Sequence, residues 1–289
     1  RRGVQPRLRS PARGVVSDAL ERRLVDLILY GSVALVLLFF YLPIFTLIAF
    51  SFQDGRFLTL PFEGVSWRWY GELLRSEAAA QALWSSTLIA LVTMVLATAI
   101  GTAAAITAVR YRFAGRIPLL GLAAAPLAFP QLLLGVILLL WFSVLGRWLG
   151  FHTGLATAVI GHVVYITPFA MIIVAVQVTS FDPALEDAAR DCGASTFAVY
   201  RHVTIPLLWP GIFAAAIFSF LLSWGNFYLT YSLAGTTRTL PTFVFAGIAT
   251  GSSPLYPAMA TVVFVPGLVL VMIAERLRRR AQAALAAAA

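Results

Sequence analysis

The most regular spacing of chemically distinctive residues in this sequence lies in the segment 182–206. The Asp-Pro pair that opens it is typical of a helix start, and Gly193 is typical of a helix end. Between them, Glu186 and Arg190 stand four residues apart in the order that favours an ion pair on one helix face. Side chains of this kind suit a rigid docking surface rather than covalent chemistry.

Two short helices are predicted in this segment. The first carries a narrow apolar stripe at helical spacing, formed by Leu185, Ala188, Ala189 and Cys192. Ser195 can cap the second, which is predicted to run through Val203. The small residues of the stripe and Gly193 would allow another protein to approach the backbone closely. The alternative is an interfacial helix that lies on a membrane surface.

Few other residues are arranged for chemistry. The sequence has no Gly-rich phosphate loop with Lys, no nucleophile elbow and no H-E-x-x-H pair. Its single cysteine excludes an internal disulfide and a cysteine-based metal cluster. His152, His162 and His202 lie far apart, and each is interpreted as an imidazole at a membrane interface or a helix end. We therefore expect neither catalysis nor a metal or cofactor in this chain.

The elements that position the 182–206 segment are predicted to be membrane-spanning helices. The sequence is 60% hydrophobic and 11% charged, with a mean hydropathy of +0.88, whereas a soluble domain is roughly half apolar and about a quarter charged. A helix needs about 20 apolar residues to cross the bilayer. Six spans are therefore predicted, at 25–51, 81–109, 117–145, 154–179, 205–231 and 254–275.

Arginine placement predicts the orientation. All 21 basic residues are arginine, and 16 of them fall on the side of the N-terminus against 5 on the other side. The positive-inside rule therefore predicts that both termini are cytoplasmic. Because the arginines gather at the ends of apolar runs rather than on one periodic face, nucleic-acid binding is not expected. No cleavable signal peptide is evident.

The predicted organisation has three parts. They are a cytosolic N-terminal segment at 1–24, a six-span domain at 25–275 that contains the cytosolic loop 180–204, and a cytosolic tail at 276–289. The outer loop after the first span contains Trp67, Trp69 and Tyr70. These aromatics are interpreted as interfacial anchors, with contact to a partner protein as the alternative.

The 182–206 segment closely resembles the EAA loop of binding-protein-dependent ABC permeases. The family pattern is E-A-A, three residues, Gly, nine residues and then I-x-L-P. Its positions are occupied here, at the same spacing, by Asp187, Ala188, Ala189, Gly193, Val203, Ile205 and Pro206. The departures, Asp for Glu, Val for Ile and Ile for Leu, are conservative. The resemblance extends from Tyr41 to the last predicted span, and it implies an all-α polytopic type I importer permease.

In that family the loop forms a coupling helix that inserts into a cleft of a cytosolic ATPase. The resemblance therefore implies ATPase coupling through Glu186, Asp187, Ala188, Ala189, Arg190, Gly193 and Pro206. It also implies an ATPase dimer that uses ATP and Mg²⁺, a second permease subunit that is a different chain, and an extracytoplasmic solute-binding protein. The chain itself would be a non-enzymatic, multi-pass subunit in a bacterial inner membrane, surrounded by lipid.

The runs Tyr111-Arg-Phe and Phe181-Asp-Pro resemble the spermidine/putrescine branch of the family. Polyamine permeases carry an acid after the proline of span three and near the end of span five, where this chain has Gln131 and Asn226. A polycation calls for carboxylates or aromatic faces. The resemblance therefore implies a polyamine-like solute, whereas the two neutral replacements favour a neutral or anionic one. The candidate path residues are Gln131, Tyr165, Trp224, Asn226 and Tyr228, and helix packing is the alternative role for each.

A self-contained secondary transporter or channel is the rival function. It would require internal repeats with broken helices and a buried ionisable residue for ion coupling. The sequence has no convincing repeat, and none of its 12 acidic residues is predicted at mid-membrane depth. The prediction is therefore a permease subunit that a separate ATPase drives.

Overall fold

The computed structural model describes residues 12–150, 152–251, 253–265, 267–269, 272 and 276, with side chains from residue 23 onward. The regular structure in this part of the chain is helical. Its only β-type pairing is an isolated bridge between Gln53 and Val65. The predicted all-α fold is confirmed.

Five of the described helical segments are long and apolar enough to cross a membrane. Four belong to α1 (Ala12–Phe50), α3 (Glu77–Arg110), α5 (Gln131–Leu149) and α6 (Leu155–Ser180). The fifth runs from Thr196 to Trp224 and joins α8 (Thr196–Val199), a π-helical turn (Tyr200–Thr204) and α9 (Ile205–Trp224).

Shorter helices connect these segments. They are α2 (Arg68–Arg75), α4 (Arg116–Ala124), α7 (Ala184–Asp191), α10 (Tyr228–Leu233) and α11 (Leu240–Thr250). A last helix, α12, covers the described residues 255–265 and 267–269. The predicted sixth span, 254–275, overlaps α12, and its far end lies outside the described residues.

The predicted third span, 117–145, is wrong as a continuous helix. α4 ends at Ala124, a 3₁₀ turn covers Ala125–Ala128, and α5 begins only at Gln131. Phe129 and Pro130 between them are extended, with ψ angles of 137° and 135°. A proline restricts the residue before it to extended backbone and lacks the N–H that a helix interior needs.

The predicted fifth span, 205–231, is displaced along the chain. Its helix begins at Thr196 and ends at Trp224, and α10 is a separate short helix. Gly225 caps the end of α9, with its N–H donating to the Leu221 carbonyl. The first apolar segment long enough to span a membrane runs from Arg23 to Phe50, close to the predicted span 25–51, and it lies within the longer helix α1.

Residues 74–251 form one compact unit. Its larger core joins α3, α6 and α9 through alanine and branched aliphatic side chains, among them Ala105, Ala170, Val174 and Leu208. Small residues allow membrane helices to pack backbone against backbone. At Gly101 of α3, a β-carbon would lie 2.8 Å from both the Ala170 β-carbon and the Met171 nitrogen, so α3 and α6 are in direct contact there.

The second compact unit contains the described residues up to 73 and from 253 onward. In its outer loop, Trp69 is buried and its indole N–H donates to the Gln53 carbonyl at 2.7 Å. Tyr70 shares a 2.7 Å hydrogen bond with Ser51, whereas Trp67 is exposed. The interpretation as interfacial anchors is thus wrong for Trp69, which packs the loop internally.

Candidate functional site: the 182–206 segment and the interior of the helices

The helix α7 is fixed at both ends by its own sequence. At the start, the Asp182 carboxylate accepts a 2.9 Å hydrogen bond from the Ala184 N–H. At the end, Gly193 has a φ of +86°, and the N–H groups of Gly193 and Ala194 donate to the carbonyls of Arg190 and Ala189. This pair of bonds is the Schellman arrangement, which satisfies the last carbonyls of a helix. The predicted helix start and glycine stop are confirmed.

The second predicted helix of the segment is also present. The Ser195 side chain accepts a hydrogen bond from the Ala198 N–H, as a capping serine does. The helix does not stop near Val203, however, because the π-helical turn carries it without interruption into α9. Pro206 lies in the first turn of α9 and is exposed. A π-helical turn inside a helix is often found at functional positions.

The outer face of α7 carries mostly small side chains and the carboxylate of Asp187. Leu185 is half exposed, and Asp187, Ala188, Cys192 and Gly193 are all exposed. Ala189 is partly buried. A β-carbon at Gly193 would meet no atom within 4 Å. Another surface could therefore approach this face closely, as the predicted docking role requires.

Glu186 lies on the opposite side of α7, and only 8% of the residue is exposed. Its Oε1 accepts a hydrogen bond of 2.9 Å from the Thr204 hydroxyl in the π-helical turn. The same oxygen lies 4.0 Å from Arg110 Nε at the end of α3, and Oε2 lies 3.8 Å from Arg190 Nη2. This carboxylate therefore connects α7 with α3 and with the helix that becomes α9.

Arg190 and Arg110 complete this polar cluster. Arg190 Nη1 forms a 2.6 Å ion pair with Asp187, which holds the exposed guanidinium along α7. The Arg110 guanidinium lies over the ring of Phe181, 4.2 Å from its centroid. Cation–π contacts of this kind favour a fixed position of the arginine. Arg110 was not among the predicted coupling residues, although its place as the last residue of an apolar run was a usable signal.

A second contact joins the same elements beside this cluster. The hydroxyls of Tyr111, which follows α3, and Tyr200, in the π-helical turn, share a hydrogen bond of 2.7 Å. Tyr111 belongs to the Tyr-Arg-Phe run noted in the sequence. The pairing with Tyr200 could not be inferred from sequence, because 89 residues separate the two positions.

Two of the five candidate path residues, Asn226 and Trp224, make polar side-chain contacts within the protein. Asn226 is buried, and its side-chain oxygen accepts a 3.1 Å hydrogen bond from the Leu229 N–H at the start of α10. Trp224 stacks on Phe220, and its indole N–H lies 3.3 Å from the Thr87 hydroxyl. Asn226 thus acts as a helix cap, and a helix-packing role accounts for its contacts.

The other three path residues are more accessible. Tyr228 is half exposed, while Gln131 and Tyr165 are partly exposed. Tyr165 packs edge to face with Phe169, with ring centroids 5.5 Å apart. Among the residues that the structure describes, no side-chain hydrogen bond or ring contact joins any two of the five. The five residues therefore do not form one connected polar site in this state.

His162 is the buried polar residue that sequence analysis misinterpreted. It lies within α6 and is fully buried rather than at an interface or helix end. Its Nδ1 lies 2.8 Å from the Ser223 hydroxyl, and its Nε2 lies 3.1 Å from the Thr230 hydroxyl. Both ring nitrogens are thus satisfied, and the imidazole ties α6 to α9 and α10.

The described residues contain no group of three or more His, Cys, Asp or Glu side chains placed to hold a metal ion. What this arrangement can do is mechanical. It presents a rigid outer helix, connects it through one carboxylate to two long helices, and joins those helices by close packing.

Comparison with known proteins supports this interpretation. Residues 97–283 match the family described as binding-protein-dependent transport system inner membrane component. The spermidine/putrescine transport system permease protein PotC of Haemophilus influenzae is 31% identical over 243 residues, which cover 84% of this chain and 93% of that protein. The putrescine transport system permease protein PotI of Escherichia coli K12 is 32% identical over 229 residues, covering 78% and 81% of the two chains.

A solved structure has the same fold. A chain of a bacterial ABC transporter that imports the acidic polysaccharide alginate superposes with a TM-score of 0.71 at 16% identity, covering 92% of this chain and 98% of that one. The family inferred from the EAA-like segment is confirmed. The chain belongs to the family of binding-protein-dependent transport system inner membrane components, as a permease subunit of an ABC importer.

Proposed function

We propose that this permease subunit docks a separate cytosolic ATPase through the outer face of α7. The observation that carries the proposal is the geometry of α7, which is capped at both ends and exposes small residues around Ala188. A rigid helix with a small-residue face loses little conformational freedom when it binds, so the docking itself costs little entropy.

A displacement of α7 would be transmitted to the long helices through Glu186. This carboxylate contacts Thr204 through a short hydrogen bond and Arg110 through an ion pair. Thr204 belongs to the helix that leads into α9, and Arg110 belongs to α3. Both α9 and α3 pack against α6. Glu186 is therefore a positioning residue in this proposal, whereas Asp187, Ala188 and Gly193 form the contact surface.

The proposed assembly contains an ATPase dimer that binds ATP and Mg²⁺, a second permease subunit of different sequence, and an extracytoplasmic solute-binding protein. Both termini and α7 lie on the cytoplasmic side in this proposal, since 16 of the 21 arginines fall there. ATP-driven closure of the ATPase dimer would then open the path alternately to the two sides of the membrane.

The proposed substrate is a polyamine-like amine. Two relatives that are 31% and 32% identical are named for spermidine/putrescine and putrescine transport. The partly exposed rings of Tyr165 and Tyr228 offer aromatic faces that attract ammonium groups. Asn226 argues little against a cation, because its side chain is occupied as a helix cap. A neutral or anionic solute remains the second candidate, favoured by the neutral Gln131.

The docking proposal is tested by co-purification of the ATPase when the subunit is expressed with its neighbouring genes. Gly193→Asp places a bulky charge at a position with positive φ on the proposed contact surface, and it should abolish the association or ATP-driven uptake. Gly150→Asp is the matched control, since Gly150 also has positive φ and open space but follows α5. Normal uptake with Gly193→Asp would contradict the docking role, and absence of any ATPase would favour a self-contained transporter.

The substrate proposal is tested on the cognate solute-binding protein. Thermal-shift screening should detect stabilisation by spermidine or putrescine and not by sugars or carboxylates. Stabilisation by a neutral or anionic solute alone would contradict a polyamine substrate, and it would leave the docking proposal untouched.

A further inference from the structure

A cavity of about 510 Å³ and another of about 490 Å³ lie among the long helices of the 74–251 unit. The 490 Å³ cavity is enclosed by α3, α4 and α6 and by the turn between the first two. Its lining includes Ala104, Phe113, Arg116, Leu119, Ala123 and Met171. Phe113 and Leu119 are themselves exposed, so the cavity opens onto an apolar surface.

Arg116 is the one charged residue among those that line this cavity. Its Nε is buried and has no hydrogen-bond partner among the described residues. The two threonines in the lining, Thr107 and Thr167, already donate to carbonyls of their own helices at 2.8 and 2.7 Å. A buried, unpaired guanidinium N–H in apolar surroundings is costly until an acceptor pairs with it.

The position of Arg116 along the chain indicates what the acceptor is. It is the first residue of α4, Arg112 lies in the turn before it, and Arg110 is the last residue of α3. This turn lies at the cytoplasmic end of α3 in the proposed orientation, where phospholipid headgroups of the inner leaflet are found. Arginine pairs with phosphate through two parallel hydrogen bonds, and basic pockets between membrane helices on this side hold anionic lipid headgroups.

We propose that this cavity binds an anionic phospholipid of the inner leaflet, with its phosphate at Arg116 and an acyl chain along the apolar lining. The inference goes beyond ATPase docking and shares only the proposed orientation with it. The 510 Å³ cavity between α3 and α9 serves as an internal comparison, because Thr98, Trp209 and its other lining residues include no charge. It has no anchor for a headgroup.

The experiment measures lipid retained by the assembled importer, purified in mild detergent and analysed by native mass spectrometry. Wild type exchanged into mixed micelles with phosphatidylglycerol and phosphatidylcholine should retain phosphatidylglycerol preferentially. Arg116→Gln should lower that retention by about tenfold, as expected for loss of one charge-assisted hydrogen bond. Arg112→Gln, an exposed arginine of the same turn, should leave it unchanged.

A second variant, Ala123→Phe, fills the cavity without removing charge and should also displace the lipid. Co-purification of the ATPase in each variant reports intact folding and keeps lipid loss separate from loss of docking. Wild-type retention in Arg116→Gln would overturn the proposal. An equal loss of lipid in Arg112→Gln, or equal retention of phosphatidylcholine and phosphatidylglycerol, would also overturn it. A wild-type importer that retains no lipid would overturn it too, and would indicate that the second permease subunit covers the cavity.

Discussion

In the proposed docking, Glu186 contributes to coupling without touching the ATPase. Its neighbour in the sequence, Asp187, has a side chain that is 71% exposed, whereas the Glu186 side chain is 10% exposed. The sequence places both acids in one motif and cannot distinguish them, because burial depends on Arg110 and Thr204 from distant segments. The proposal gives Asp187 a role in contact and Glu186 a role in positioning because the fold exposes Asp187 and buries Glu186.

Removal of the Glu186 carboxylate should loosen α7 locally. Glu186→Ala leaves the Thr204 hydroxyl without its acceptor and removes the negative charge nearest to Arg110, and the unpaired buried hydroxyl alone costs about 1–3 kcal/mol. Hydrogen exchange of the α7 amides should therefore become about tenfold faster or more in detergent-solubilised protein. Asp187→Ala is the control, since exposed ion pairs contribute little. Equal exchange rates in the two variants would show that Glu186 does not anchor α7.

His162 illustrates the limit of residue-level prediction. An imidazole inside a 26-residue apolar helix was a signal that the sequence contained. Its partners Ser223 and Thr230 lie 61 and 68 residues away, however, so the hydrogen bonds that satisfy both nitrogens could not be inferred. Interhelical hydrogen bonds of this kind contribute about 0.6 kcal/mol each in membrane proteins.

At the scale of elements, the helices with uninterrupted patterns were predicted well. The predicted span 154–179 differs from α6 by one residue at each end, and 81–109 lies inside α3. The failures fall at Pro130, which lacks the N–H that a helix interior needs, and at Gly225, where α9 ends before the short helix α10. A hydropathy pattern records apolar surface and does not record backbone conformation, so it joined α4 to α5 and α9 to α10.

The close contact between α3 and α6 depends on the absence of a side chain at Gly101. Gly101→Ala would place a β-carbon 2.8 Å from backbone and side-chain atoms of α6, so the helices must separate. Overpacking of this kind costs about 1–3 kcal/mol. The midpoint of thermal unfolding in detergent should fall.

Gly121→Ala in α4 is the matched control, because a β-carbon there meets no atom within 4 Å. Alanine favours a helix interior over glycine by about 1 kcal/mol, so this variant should be unchanged or more stable. A Gly101→Ala protein as stable as Gly121→Ala would contradict the close packing of α3 on α6.

At the scale of the molecule, large apolar surfaces remain uncovered in the single chain. The 18-residue apolar window of α1 has none of its residues buried, and Leu27, Ile28 and Phe39 are each at least 70% exposed. Lipid or a second permease subunit must cover such a surface, since water does not solvate it favourably. Composition predicted this requirement for a membrane, and the EAA-like segment predicted which class of assembly meets it.

The proposed docking of the ATPase on the outer face of α7 can be measured at Cys192. It is the single cysteine of the chain, it lies directly after α7, and it is exposed. Maleimide labelling of the Cys192 peptide, followed by mass spectrometry, should be fast in the isolated subunit and strongly slowed in the assembled importer. A cysteine introduced at the exposed Leu74, outside the proposed contact, should label equally in both. Equal labelling rates of Cys192 with and without bound ATPase would contradict docking of the ATPase on the outer face of α7.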